Sequence, residues 1–263
     1  MSNKKTTKIV EQIKYNGTFS KYESFSSSNK LILLLPLKTG TGSLVNSLKA
    51  GGVKFDELPN SYTYDEKYRA VHLTFKEMLN VYSIPQSTIS QYKVIQVVRN
   101  PWDLFISTYL FIEDMCLVNY PEYYEHIPFK KWAITVKKYR HFLPDNEEKF
   151  WQNITKKGFI RSIRARAKPY YQQSWYNDIN YNNIKYFKIE DLVKDITPLE
   201  DYLDLEIVNM LHINTVQDRR NIYTGFKYIS TKPYKEYYDN ETKNIVEELY
   251  AEDIKKFNYS YPF

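Results

Sequence analysis

The sequence predicts an α/β fold, a three-layer α/β/α domain built around a central and mainly parallel sheet. A continuous apolar run at residues 31–35 and a second, mostly apolar run at residues 92–98 carry this prediction. Such runs are typical of strands that are buried on both faces of a parallel sheet. Each run is followed by a short turn and then by residues at helical spacing, which is the order of half a βαβ unit.

The segment after the first apolar run alternates helix and strand patterns. A helix is predicted over residues 44–50, because Gly51 and Gly52 then stop it. Short strands are predicted over residues 53–55 and 69–73.

The second half of the chain continues the alternation around a less regular middle. Pro101 is expected to open a long helix, since proline suits a first helical turn. About residues 115–180 form a helical and loop region that we expect to wall a substrate cleft. A strand over residues 184–189 feeds a helix, and an amphipathic C-terminal helix follows, with Asp239 or Asn240 as its N-cap.

Length and composition favour one domain. Residues 1–30 are polar and rich in serine towards their end, so they are predicted to be a flexible N-terminal arm. Residues 31–263 are then long enough for a single domain with a substantial core.

Charge and cysteine content limit the classes of function. A formal net charge of +6 favours an anionic partner, which could be a nucleotide, a polyanionic glycan, a nucleic acid or a membrane surface. The single cysteine, Cys116, excludes an internal disulfide and a cysteine zinc cluster. No apolar run suits a signal peptide or a membrane span, so we expect a cytoplasmic protein.

The segment PLKTGTGS, residues 36–43, is typical of a phosphate-binding loop. Glycines permit close backbone approach at a helix N-terminus, hydroxyls add donors and the lysine adds charge. The residues concerned are Lys38, Thr39, Gly40, Thr41, Gly42 and Ser43. The lysine precedes the glycines, so the segment does not match the G-x-x-x-x-G-K-[ST] loop of nucleotide triphosphatases. An ordinary strand-to-helix turn is the alternative.

The segment VVRNPWDLFISTY places Arg99 at the end of the second apolar run and Ser107 in the helix that follows. Because ligands bind at the carboxyl ends of parallel strands, we expect both side chains to converge on a second phosphate. Two such sites predict a nucleotide that is phosphorylated at two positions. The alternative is an arginine that only forms an intramolecular ion pair.

Five segments in order resemble the sulfotransferases that use 3′-phosphoadenosine 5′-phosphosulfate (PAPS). PLKTGTGSL resembles the family's 5′-phosphosulfate loop, and VVRNPWDLFISTY resembles its 3′-phosphate motif. RAVHLTFKEM is similar to a strand end of the carbohydrate branch, and IKYFKIEDLVKDI to a late strand of the family. YKEYYDNETKNIVEELYAEDIKKFNYSY is similar to its C-terminal helix. An extra Leu37, and Gly42 at a position usually held by threonine or serine, depart from the loop pattern.

The resemblance implies roles for the two motifs. Lys38 would neutralise charge on the bridging oxygen of the donor, and the rest of the loop would hold the 5′-phosphosulfate. Arg99 and Ser107 would hold the 3′-phosphate, with Arg219 and Lys227 reaching it from a closing loop. The implied cofactors are PAPS as donor and adenosine 3′,5′-bisphosphate as product, without a metal ion.

His72 is the candidate general base. An unperturbed histidine pKa of about 6.5 suits deprotonation of a hydroxyl near neutral pH, and family members with a histidine here use it in this way. Alternatively, His72 is a buried structural residue. In that case Glu77 or Glu113 would be the base.

The expected acceptor is a hydroxyl, most consistent with a glycan or glycoconjugate through the resemblance to the carbohydrate branch. A basic run that includes Arg161, Arg164 and Lys168 could hold an anionic acceptor, and a solvated helix face explains it equally well. We expect no nucleic-acid partner and no membrane span, and the sequence does not predict an oligomeric state.

The predicted function is therefore sulfuryl transfer from PAPS to a hydroxyl, by in-line displacement with a histidine base. One alternative is a P-loop kinase or phosphotransferase that needs ATP and Mg²⁺. The other is a non-catalytic basic module that binds glycans and loses affinity with salt.

Overall fold

The computed structural model describes residues 24–36, 38–57, 73–119, 126–139, 181–207 and 233–263. The chain divides into two compact units. The first comprises Met1–Val97, Trp175–Phe187 and Asp191–Leu211, and the second comprises Val98–Ser174, Lys188–Glu190 and His212–Phe263. The single domain predicted over residues 31–263 stays a prediction, since a domain of that size can contain two compact parts.

A four-stranded sheet lies at the centre of the α/β fold. Its strands are, in order across the sheet, β1 Phe25–Ser26, β2 Leu31–Leu34, β3 Lys93–Val98 and β4 Ile184–Lys188. Strands β2 and β3 run parallel, with Leu31 opposite Lys93 and Leu34 opposite Gln96. Every residue of β2 is buried, which accounts for its unbroken apolar run. The predicted α/β class with a mostly parallel sheet is confirmed.

The boundary predicted for the N-terminal arm was wrong, because its last residues belong to the fold. Strand β1 pairs antiparallel with β2. The Phe25 ring is buried, with ring centroids 4.7 Å from Tyr82 and 5.6 Å from Tyr92. The backbone N–H of Leu33 also donates to the carbonyl of Ser24, at 2.7 Å. A two-residue edge strand is held mainly by backbone hydrogen bonds. Because these bonds do not depend on side-chain type, the sequence did not predict the strand.

Helix α1, Thr41–Ala50, follows β2 as predicted and begins earlier than residue 44. It ends at Gly51, where an added Cβ would lie 2.7 Å from the backbone oxygen of Glu206. The strand predicted over residues 53–55 is absent. The N–H of Val53 instead donates to the Leu48 carbonyl at 2.9 Å, so the chain folds back on the helix end.

Four further short elements lie wholly or partly in the described part of the first unit. They are α2 Phe75–Val81, a 3₁₀ helix Gln86–Gln91, α5 Ile189–Leu192 and α6 Thr197–Leu203. Thr74 and Glu77 form a capping box at the start of α2. Of the strand predicted over residues 69–73, all but Leu73 lies outside the described residues, and Leu73 is not in a strand.

The second unit is built from helices around an aromatic core. Its helices are α3 Pro101–Asn119, α4 Phe129–Tyr139, α7 Asn240–Leu249 and α8 Ala251–Phe257, with a 3₁₀ helix at Tyr234–Tyr237. The Phe105 ring lies 4.6 Å from Trp132 and 6.2 Å from Tyr250, and all three side chains are buried. Such aromatic contacts fix how the helices pack around the start of α3.

The C-terminal helix predicted as continuous is two helices. Asp239 caps α7, as expected, and Tyr250 interrupts the pattern with φ −114° and ψ 22°. The buried Tyr250 ring fills the core at that break. Across the described ranges, we find no helix long and apolar enough to cross a membrane.

Candidate phosphate-binding sites

The loop between β2 and α1 folds around the carbonyl oxygen of Pro36. Thr39 Oγ1 donates to this oxygen at 2.7 Å and Thr41 Oγ1 donates to it at 3.3 Å. The Thr39 side chain is fully buried. Both threonine hydroxyls therefore direct their hydrogens into the loop, where they stabilise its shape.

The backbone of the same loop has two left-handed residues. Lys38 has φ 67° and Gly40 has φ 79°. A glycine accepts that conformation without steric cost, which accounts for Gly40, whereas Lys38 adopts it against its usual preference. The two turns bring the chain sharply from the strand into the helix.

Helix α1 begins in a form that suits an anion. Gly40 is its N-cap and offers no side-chain acceptor, and no acidic residue lies in the first turn. The first N–H groups of a helix point away from its body and carry a partial positive charge. Gly42 and Ser43 in that turn are partly exposed, as is Lys38 just before it. At Gly42 a ligand would meet backbone rather than the hydroxyl typical of this position.

The second candidate site lies at the start of α3, in the second unit. Arg99 Nε donates to Asp103 Oδ2 at 2.7 Å, and the Arg99 Nη1 group donates to Ser107 Oγ at 3.2 Å. Asp103 and Ser107 lie four residues apart in the first turns of α3, and the Arg99 side chain, from two residues before the helix, reaches both of them. The structure thus brings Arg99 and Ser107 together, as the motif predicted.

The Ser107 hydroxyl is able to donate a hydrogen bond to a ligand. A serine hydroxyl can accept one hydrogen bond and donate another. Ser107 is buried and accepts from Arg99, and within the described ranges no acceptor lies at hydrogen-bond distance from its own hydrogen. The neighbouring Thr108, by contrast, donates to the Leu104 carbonyl at 2.8 Å. An anion bound at Arg99 would satisfy the Ser107 hydrogen.

Asp103 is a partner that the motif did not predict as functional. Its (i, i+4) spacing from Arg99 was visible in the sequence. The side chains of Arg99 and Asp103 are 20% and 23% exposed. Burial lowers the pKa of the Arg99 guanidinium, but attraction to Asp103, their hydrogen bond and weaker effects of Tyr234 and Glu190 together raise it above its ordinary value. The guanidinium is therefore firmly cationic while it holds its ion pair with Asp103.

The turn between β3 and α3 is held by contacts from two other segments. Glu190 Oε1 accepts the backbone N–H of Asn100 at 2.5 Å, and Asn100 Nδ2 donates to the Ser260 carbonyl at 2.9 Å. Burial raises the pKa of Glu190, against the opposing effect of the Asn100 N–H. The sequence did not reveal that Glu190 lies beside the turn after Arg99, because 90 residues separate Asn100 from Glu190.

Several predicted residues lie outside the described ranges. They are His72, Arg161, Arg164, Lys168, Arg219 and Lys227. Both alternative bases have structural contacts. Glu77 belongs to the α2 capping box, and Glu113, only 4% exposed, pairs with His126 Nδ1 at 2.8 Å. Over the described part of the chain, no group of three His, Cys, Asp or Glu side chains could hold a metal ion.

Together these features define a class of protein, an α/β fold in which a basic residue follows each of two parallel neighbouring strands. The family model described as "Sulfotransferase domain" matches residues 6–259. The chain therefore belongs to the sulfotransferase family, whose members use PAPS as donor and release adenosine 3′,5′-bisphosphate. No curated protein and no solved structure matches the chain.

Proposed function

We propose that this sulfotransferase transfers the sulfuryl group of PAPS to a hydroxyl of a carbohydrate acceptor. The observation that carries the proposal is the Arg99–Ser107 pair, a cation beside a buried hydroxyl hydrogen that has no acceptor within the described ranges. A phosphate monoester supplies both the negative charge and the acceptor oxygens that this pair needs. Membership of the sulfotransferase family supplies the donor.

The two candidate sites would hold opposite ends of the donor. Lys38, Thr39, Gly40, Thr41, Gly42 and Ser43 would bind the 5′-phosphosulfate, and Arg99 and Ser107 would bind the 3′-phosphate. Support comes from the sheet, in which β2 and β3 are parallel neighbours, because ligands of such sheets bind at the carboxyl ends of the strands. Support also comes from α1, whose first turn has no acidic residue to compete with an anion.

The protein's contribution to the reaction is charge and proton transfer. PAPS, when bound, supplies a sulfuryl group joined to a phosphate leaving group. The Lys38 ammonium would stabilise negative charge where the sulfur–oxygen bond to that phosphate breaks. His72 would take the proton of the acceptor hydroxyl as its oxygen bonds to sulfur. Electrostatic stabilisation of this kind is worth about 3 kcal/mol.

The remaining predicted residues would complete the two binding regions. Arg219 and Lys227 would reach the 3′-phosphate, and Arg161, Arg164 and Lys168 would bind an acidic glycan acceptor. These roles rest on the sequence patterns. A glycan with carboxylate or sulfate groups matches the net charge of +6.

The direct test is transfer of label from PAPS that carries ³⁵S, with a panel of neutral and acidic glycans and with EDTA present. We expect label on a glycan, and a strong loss of turnover in His72→Ala with binding of adenosine 3′,5′-bisphosphate retained. His126→Ala is the matched control, and we expect it to keep turnover.

Three results would contradict the proposal. Phosphate transfer from ATP with Mg²⁺, and none of sulfate from PAPS, would identify a kinase. Salt-sensitive glycan binding without any transfer would identify a binding module. Loss of turnover in His126→Ala but not in His72→Ala would move the base to the Glu113–His126 pair.

A further inference from the structure

The turn at Asn100 connects the end of β3 to α3, and its backbone direction sets where Arg99 emerges. Three groups hold this turn within the second unit. Asn100 Oδ1 accepts the N–H of Trp102 at 3.2 Å, Glu190 Oε1 accepts the N–H of Asn100, and the Ser260 carbonyl accepts from Asn100 Nδ2. Asn100 is buried, so its polar groups depend on these partners rather than on water.

Glu190 is itself held from the C-terminus. The hydroxyl of Tyr259 donates to Glu190 Oε2 at 3.3 Å. The ammonium of Lys188, two residues before Glu190, lies 4.6 Å from the centroid of the Tyr259 ring. One carboxylate therefore joins the Asn100 turn to the end of the chain.

The C-terminal segment, residues 258–263, is shaped to make these contacts. Helix α8 ends where Asn258 takes a left-handed conformation, φ 50°, and the N–H of Tyr259 donates back to the Ile254 carbonyl at 3.1 Å. The Tyr261 ring then packs 5.7 Å from Trp102 in the first turn of α3. The segment thus reaches the Asn100 turn through both backbone and side chains.

We propose that Glu190 and the C-terminal segment position Arg99 for anion binding, by fixing the backbone of the Asn100 turn that follows it. The ligand is a phosphate monoester, which under the proposed function is the 3′-phosphate of the donor. Glu190 is therefore a positioning residue, since it contacts the backbone after Arg99 and not the phosphate. The inference rests on the proposed function for the identity of that phosphate.

The charge of Glu190 is not what the turn requires. The turn needs an acceptor for the Asn100 N–H, and a glutamine amide oxygen provides one at the same reach. An alanine leaves that buried N–H unsatisfied, and the turn can move to find another partner. Glutamine and alanine at position 190 therefore separate the positioning role from a simple loss of charge.

The test compares the affinities for adenosine 3′,5′-bisphosphate and for adenosine 5′-monophosphate, which lacks the 3′-phosphate, by titration calorimetry. In Glu190→Ala we expect the preference for the bisphosphate to fall by about tenfold, with the monophosphate affinity unchanged. Glu190→Gln should keep the preference within about twofold. Tyr259→Phe, which loses only the hydroxyl, should lower it by about threefold.

Glu200→Ala is the matched control in the first unit. Glu200 Oε1 also accepts a backbone N–H, that of Ile207 at 2.7 Å, and this contact lies within the first unit, whereas Arg99 and Ser107 belong to the second. We expect this variant to keep the preference for the bisphosphate. Thermal unfolding of each variant shows whether it is folded, and if Glu190→Ala is not, the Tyr259→Phe result decides.

The outcomes separate this inference from the proposed function. A wild-type protein without any preference for the bisphosphate would overturn the proposed function itself. A preference in wild type that survives in folded Glu190→Ala and in Tyr259→Phe would overturn only the positioning role. An equal loss of affinity for both nucleotides would also overturn it, because it would reflect general damage.

Discussion

Arg99, directly after β3, and Ser107, in the following helix, are held together by a hydrogen bond before any ligand binds. Asp103 holds Arg99 through Nε, which orients the guanidinium towards Ser107. An oriented guanidinium loses little rotamer entropy on binding, so more of its interaction energy is available as affinity. The buried hydroxyl of Ser107 then adds a donor at a fixed position.

At this scale we expect Ser107→Ala to weaken binding of adenosine 3′,5′-bisphosphate by about three- to tenfold, the usual value of one hydrogen bond. Thr108→Ala is the control, because Thr108 is equally buried but donates to its own helix. Titration calorimetry of both variants measures the difference. Equal losses in the two variants would show that Ser107 contributes only packing.

The meeting of Arg99 and Ser107 was predictable, since Arg99 directly follows a parallel strand and Ser107 lies in the helix that comes next. The hydrogen bonds of the loop residues Thr39 and Thr41 were harder to predict from the sequence. Their hydroxyls donate to Pro36, which depends on the left-handed turns at Lys38 and Gly40 and not on residue type. The contact between Glu190 and Asn100 depends on the whole tertiary fold.

Helix α7 shows how the ends of elements support the second unit. Asp239 accepts the N–H of Thr242 at 2.8 Å, and Lys130 from α4 donates to its other oxygen at 2.8 Å. The pKa of Asp239 is lowered from 3.8 to about 2. The main cause is the hydrogen bond from Lys130, and the second is the hydrogen bond from the Thr242 N–H. The carboxylate therefore joins two helices and caps one of them.

We expect Asp239→Ala to lower the free energy of unfolding by about 1 kcal/mol at neutral pH. Because the folded pKa of Asp239 is depressed, its contribution is complete above the unfolded pKa near 3.8 and is lost as pH falls through about 2. Urea unfolding at several pH values should therefore show the wild-type advantage shrinking between about pH 4 and about pH 2.

Asp239→Asn is the control for the charge, because asparagine also caps helices well. It should keep most of the stability at neutral pH and lose the pH dependence. An Asp239→Ala effect that stays constant from pH 7 to pH 2 would contradict the role of the ionised carboxylate.

The sequence best predicted the features that are determined by residues close together in the chain. The Asp239 cap and the start of α3 at Pro101 follow from residue types at helix ends. The break at Tyr250 was not predictable, because it arises where a buried ring meets the aromatic core. The absent strand at residues 53–55 reflects a return of the chain onto α1 through Val53 and Leu48.

At the scale of the whole molecule, the fold class followed from two apolar runs and the helices after them. Both runs became strands, β2 and β3, and they lie parallel and adjacent. The short polar strand β1 escaped prediction because edge pairing through the backbone leaves little trace in side-chain pattern. The matched family region, residues 6–259, likewise begins before the first apolar run.

The central claim is that Arg99 belongs to a site for the 3′-phosphate of an adenine nucleotide, and thermal unfolding with added nucleotide tests it most directly. Adenosine 3′,5′-bisphosphate at about 100 times its dissociation constant should stabilise the protein by about 2.7 kcal/mol, which raises the midpoint by roughly 5 °C or more. We expect ATP to raise the unfolding midpoint by less than the bisphosphate does. In Arg99→Ala we expect the bisphosphate to leave the midpoint unchanged. The claim is contradicted if the bisphosphate gives no shift, or if Arg99→Ala keeps the wild-type shift.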